Sequence, residues 1–134
     1  ETGFDTMLAK ENSKNNPYFY TMYAYVRCCS ILEKKKPNLD KNLDKNELLK
    51  NYDLLSKIIN FPIYLEKFTS ERSPHSLIHF TKELAANYHS FYEQNPVITN
   101  NQEESNARLL ITKATSIVLK NSFRIIGVTP LEKM

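Results

Sequence analysis

Apolar side chains recur along this chain at steps of three and four rather than alternating, a spacing that predicts helices almost throughout. Phe4 to Ser13 reads as a short helix. Asn16 followed by Pro17 is a start signal, because a proline in the first turn has no amide to leave unpaired, and a long helix is expected from Pro17 to about Lys35. Lys34 to Lys45 mixes charge, Asn and a proline without an apolar face, so it reads as a linker. Leu48, Tyr52, Leu55 and Ile59 then mark the buried face of a helix over Lys45 to Ile59. Phe61-Pro62 restarts the pattern, with Phe61, Leu65 and Phe68 on one side of a shorter helix. Ser73-Pro74 repeats the cap-and-proline start, and Leu77, Phe80, Leu84, Tyr88 and Phe91 define a helix to about Glu93. After a turn at Asn95-Pro96, Asn100 and Glu103 resemble a capping pair. Ala107, Leu110, Ala114, Ile117, Val118 and Ile125 trace the last stripe, which Gly127 should end, with Pro130 beyond it. The expectation is an all-α helical bundle of six elements, two of them short.

Composition narrows the functions open to such a bundle. At 134 residues and 41% hydrophobic, the chain fits one domain with a continuous core. No run approaches the ~18 apolar residues of a membrane span, and no basic-then-apolar export signal opens the chain, so a soluble, cytoplasmic protein without a membrane partner is expected. Gly3 and Gly127 are the only glycines, which excludes a glycine-rich phosphate loop. Cys28 and Cys29 are adjacent, a spacing that suits neither an ordinary disulfide nor a metal or redox motif, so they read as core or boundary side chains. His75, His79 and Glu83 form a row at four-residue steps, but one straight helix does not wrap three ligands around an ion, and no metal is assigned. The net charge of +3 is compatible with a polyanion partner without requiring one.

Three blocks carry a family resemblance. The run Asn16 to Ile31, NPYFYTMYAYVRCCSI, resembles the segment of arginyl-tRNA synthetases that joins the catalytic and anticodon-binding domains, where the core reads Tyr-Ala-His-Ala-Arg before a Cys-Ser-Ile-like stretch. Phe61-Pro62, Pro74 to Leu77 and Tyr88 to Tyr92 follow in the order and spacing of the DALR-type anticodon-binding domain. Asn106 to Leu110, then Val118 to Asn121, then Gly127 to Met134 complete the match, and the closing basic-Met pair resembles the C-terminus of that family. The sequence departs from the family at Tyr25 and Val26, which replace His and Ala, and at Ser122, where Gly is frequent. The catalytic His-Ile-Gly-His-like and Lys-Met-Ser-Lys-like signatures are absent from these residues, in keeping with the glycine count.

The resemblance implies an all-α bundle of the class I synthetase anticodon-binding type over residues 4–134, with 4–36 near the junction to a catalytic domain; residues 1–3 have no periodicity and read as a cloning remnant or chain stub. It also implies recognition of the anticodon stem-loop of an arginine tRNA, with ATP-dependent arginylation belonging to the parent's catalytic domain. No ligase activity and no cofactor are expected of this segment itself. Tyr20, Tyr23 and Arg27 share one helix stripe, where rings can stack on bases beside a guanidinium; packing against neighbouring helices is equally open to the tyrosines, and the resemblance favours RNA contact for Tyr23 and Arg27. Tyr88 belongs to the apolar stripe, leaving His89 and Tyr92 to face RNA. Lys113, Lys120 and Arg124 are candidates for phosphates or for a solvated face, and Lys133 and Met134 for the closing contact. Two rivals remain open, the anticodon-binding domain of another class I synthetase and a helical protein-interaction module.

Overall fold

The computed structural model describes residues 17–71 and 75–134, all helices and connecting segments with no strand among them. The helix expected over Phe4 to Ser13 and the caps expected at Asn16 and Ser73-Pro74 lie outside the described residues. Six helices follow in order: α1 Phe19–Lys34, α2 Lys45–Lys50, α3 Tyr52–Ile59, α4 Phe61–Glu71, α5 His75–Gln94 and α6 Gln102–Ile126. The three long helices α1, α5 and α6 each pack against the other two, while α2 and α3 lie on α6, and α3 and α4 on α5. No helix among the described residues is long and apolar enough to cross a membrane.

The α5 stripe packs as its spacing dictates, with Leu77, Phe80, Leu84, Tyr88 and Phe91 all buried. Phe61 and Tyr64 of α4 set their rings against Phe80, at centroid distances of 5.7 and 4.5 Å. Tyr88 reaches the centre of the bundle, where its hydroxyl shares a 2.8 Å hydrogen bond with Thr112 Oγ1. Burial pushes the acidity constants of both Tyr88 and Cys28 well above their ordinary values, so neither ionises near neutrality, and Cys28 is a core side chain.

Other stripes differ from the sequence expectation. Lys45 to Ile59 is two helices, broken at Asn51, whose side chain turns back to the Glu47 carbonyl at 2.8 Å. The break resets the phase: Leu54 and Glu47 are buried, whereas Tyr52 and Ile59 are exposed. On α6 the true N-cap is Asn101, one residue after the expected position, with its side chain accepting from Glu104 N–H. Of the expected stripe Ala107 and Val118 are buried while Ile117 and Ile125 are exposed; the buried face also runs through Leu109, Ile111, Thr112, Thr115, Leu119 and Phe123. Two of its threonine hydroxyls are satisfied locally, Thr112 donating to Arg108 O at 2.9 Å and Thr115 to Ile111 O at 2.8 Å.

At the far end, Gly127 takes φ 97°, the left-handed conformation that glycine alone adopts without a Cβ clash. Val128 N–H reaches back to Phe123 O at 2.8 Å and Gly127 N–H to Arg124 O at 3.3 Å, the paired bonds of a Schellman stop. Val128 is buried with Phe123, and Leu131 N–H meets the Met22 sulfur at 3.3 Å, so the tail lies back against α1.

Candidate nucleic-acid interface

Tyr20, Tyr23 and Arg27 leave α1 on the side facing α5, and the structure brings Tyr23 and Arg27 together with His89 and Tyr92. The Arg27 guanidinium lies 4.7 Å from the centroid of the Tyr23 ring and 4.0 Å from that of Tyr92. It donates to the Tyr23 hydroxyl at 3.3 Å and contacts His89 Nδ1 at 3.2 Å. A guanidinium has no acceptor, so Nδ1 must offer its lone pair. His89 Nε2 therefore carries the proton, which it gives to the Tyr20 carbonyl at 2.9 Å. Both ring nitrogens of His89 thus have protein partners, and its imidazole ties α5 to the first turn of α1. The three tyrosine rings remain open to solvent, at 61% for Tyr20, 39% for Tyr23 and 36% for Tyr92.

The remaining predicted cations are on a different face. An open groove of about 670 Å³ between α1 and α6 is lined by Lys36, Lys113 and Lys120, with Glu33 on its α1 wall and Glu132, Lys133 and Met134 of the tail closing one side. Lys120 also borders a second depression of about 460 Å³, shared with Arg124, Gly127 and Pro130. Lys113, Arg124 and Lys133 are exposed, Lys120 and Met134 half-buried. Tyr25 is buried with its ring edge-on to Phe123 at 6.5 Å, and burial raises its acidity constant. It is therefore a packing group with one edge on this groove. Ser122 is fully buried, and its hydroxyl has no hydrogen-bond partner among the described residues.

His79 Nε2 lies 3.2 Å from Glu83, which also takes Lys57 at 3.3 Å. No grouping of His, Cys, Asp and Glu suited to a metal occurs among the described residues.

Sequence reasoning passed over two structural residues of the Asn106 to Leu110 block. Arg108 is 6% exposed; its Nε donates to Glu47 at 2.8 Å, and its other nitrogens reach Pro96 O at 2.8 Å and Glu104 at 3.4 Å. Asn106 binds the backbone of Asn38 on the segment between α1 and α2. The signal was there in the match itself, since a charged and an amide side chain stand in a block otherwise apolar.

Comparison with known proteins places this arrangement. The family model for the DALR anticodon binding domain matches residues 21–134. Arginine–tRNA ligase 1 of Halalkalibacterium halodurans is 39% identical over 137 residues, covering 98% of this chain and 25% of that protein. The arginine–tRNA ligase of Staphylococcus epidermidis is 37% identical over 136 residues with the same coverage. A solved Campylobacter jejuni structure assigned as an arginyl-tRNA synthetase shares the fold, with a TM-score of 0.73 at 24% identity over 93% of this chain and 28% of that one. The chain thus spans about a quarter of the length of the curated relatives it matches. By its sequence match and its helical fold, the chain belongs to the DALR anticodon binding domain family, in the form that arginine–tRNA ligases carry.

Proposed function

We propose that this chain grips the anticodon loop of an arginine tRNA, as the anticodon-binding part of a cytoplasmic arginine–tRNA ligase. The observation that carries the reading is the pair of solvent-open rings, Tyr23 and Tyr92, held on Arg27 at the α1–α5 surface, with the exposed Tyr20 one turn before Tyr23 on the same helix stripe. Unpaired bases of a loop stack on such rings regardless of identity, and cations on the neighbouring face hold phosphates. In this reading Tyr20, Tyr23 and Tyr92 meet bases, while Arg27 and His89 act mainly by fixing where those rings stand. Lys113, Lys120, Arg124 and Lys133 neutralise the backbone, and Met134 offers an adaptable apolar contact.

The parent enzyme would use ATP in its catalytic domain, and docking here would present the acceptor end of the tRNA to that domain. Residues 4–36 would lie near the junction between the two. Filter binding of the 134-residue chain to arginine and non-arginine tRNA transcripts tests this directly. The expected result is preferential binding of the arginine tRNA, lost when its anticodon is exchanged. Preference for the anticodon of a different class I amino acid would reassign the domain, and no tRNA binding at all would leave a protein-interaction module.

A further inference from the structure

Residues 35–44, between α1 and α2, do not form a free spacer. Asn106 of α6 is 7% exposed, and its amide pairs with the Asn38 peptide in both directions, accepting from Asn38 N–H and donating to Asn38 O, each at 2.7 Å. Its Nδ2 reaches Asn42 O at 3.5 Å, and Asp44 N–H donates to the Glu103 carbonyl at 3.2 Å. The loop is therefore latched at several points to the first turns of α6. It presents Lys35, Lys36 and Lys41, all exposed and in no ion pair among the described residues.

Between the loop and α6 is an open cavity of about 280 Å³, lined by these three lysines together with Asn42, Gln102 and Leu109, and with Glu103 as the carboxylate on its rim. Lys36 also lines the groove that holds Lys113, Lys120 and Lys133, so the two depressions share a wall and their cations are continuous. We propose that this loop is a phosphate-binding strap, which extends the basic groove and takes the sugar–phosphate backbone of an RNA strand flanking the anticodon loop. The assignment rests on the RNA-binding reading above and adds a second contact surface to it.

The physical case is one of preorganisation. A lysine is a point charge suited to a phosphate from many angles, and it carries no base information. A solvated run of lysines on a mobile loop would lose chain entropy on binding, whereas a loop already held by Asn106 has lost most of it on folding. The side-chain amides of Asn42 and Gln102 add donors that a phosphate oxygen or a 2′-hydroxyl accepts.

The test is a salt series of filter binding with an arginine tRNA transcript, comparing the 134-residue chain with its Lys35→Ala/Lys36→Ala/Lys41→Ala variant. Each phosphate contact on a single strand contributes about 0.7 to the slope of log affinity against log salt, so the variant should lose roughly two units of slope. Affinity at low salt should fall at least roughly tenfold, with the ratio between arginine and non-arginine tRNAs unchanged. Lys67→Ala on α4 removes a charge outside the strap and should leave the slope as it is. An unchanged slope in the triple variant, or an equal loss per charge in Lys67→Ala, overturns the strap while leaving the anticodon reading intact. Failure of the unaltered chain to bind tRNA overturns that reading, and the strap with it.

Discussion

The guanidinium of Arg27, midway along α1, lies 4.0 Å from the centre of the Tyr92 ring in the last turn of α5. The same fork contacts Tyr23 and His89, so three groups on two helices take their positions from one side chain. Lysine keeps the charge but has neither the plane nor the spread of donors to stack and bridge at once. Arg27→Lys is therefore expected to cost about 1 kcal/mol of stability and Arg27→Ala about 2, from lost cation–ring and charged hydrogen-bond contacts. Both should weaken tRNA binding several-fold. Thermal melts run beside filter binding check this: weaker binding with an unmoved melting temperature would mean that Arg27 touches RNA itself, and full rescue by lysine would mean that only its charge matters.

The ion pair between Glu47 and Arg108 is buried on both sides, at 4% and 7% side-chain exposure, and joins α2 to α6. Removing the Glu47 charge leaves Arg108 only the longer 3.4 Å pair with Glu104, so Glu47→Gln should destabilise the fold by about 2 kcal/mol. Burial alone would raise the Glu47 carboxyl, but hydrogen bonds from Arg108 and Lys50 more than offset it, and the acidity constant falls below its ordinary 4.5. A depressed folded-state value means that the stabilisation is fully present above about pH 4.5 and is lost as pH falls through the lower value. Urea melts from pH 7 down to about 3 should show the unaltered chain losing this contribution, with Glu47→Gln less stable at neutral pH and flatter across the acid range.

Why some of this was legible in the sequence and some not follows from particular helices. The stripe on α5 could be read because that helix buries one face, with Leu77 to Phe91 at helical spacing and charged residues opposite. The last helix packs against α1, α2, α3 and α5, and its buried face includes Thr112, Thr115 and Ser122, whose letters look polar while their side chains fill the core. Its face could therefore be read only in part: Ala107 and Val118 are buried as expected, whereas Ile117 and Ile125 are exposed. Gly127 was readable because a left-handed helix stop leaves one residue type in favour. At the interface, Tyr23 and Arg27 share a stripe four residues apart, so their contact was visible locally. The partners of His89, 62 and 69 residues distant, have no local signature, nor does the bond from Glu47 to Arg108 across 61.

Asn106→Ala should release the loop over residues 35–44 without collapsing the bundle. The variant loses two 2.7 Å bonds and leaves the Asn38 peptide without them, a cost of about 1–3 kcal/mol. Lys35 and Lys41 are trypsin sites already at the surface, whereas the Lys36–Pro37 bond resists trypsin, so cleavage in the loop is governed by how often it opens. Limited trypsin digestion should cut the variant in this loop at least tenfold faster, with cleavage at Lys67 of α4 changed much less. Equal acceleration at both places would mean that Asn106 supports the whole fold and not the loop.

The tail gives the most direct trial of the RNA surface. The Schellman stop at Gly127 turns the chain, Pro130 keeps it from resuming helix, and the Leu131 amide meets Met22, so residues 131–134 run along the α1 side of the groove. Met134 is half-buried against the core cluster, whereas Lys133 is exposed among Lys36, Lys113 and Lys120. Deleting Lys133 and Met134 removes little buried area, so stability should change by at most about 1 kcal/mol. If the pair closes on the anticodon loop, tRNA binding should weaken several-fold, and part of that loss should persist at high salt because a methionine–base contact releases no counterion. Lys133→Ala alone should show only the salt-dependent part. A truncated chain that binds as tightly as the intact one at matched salt takes Met134 out of the site, and a loss that vanishes at high salt leaves Lys133 as the sole contributor.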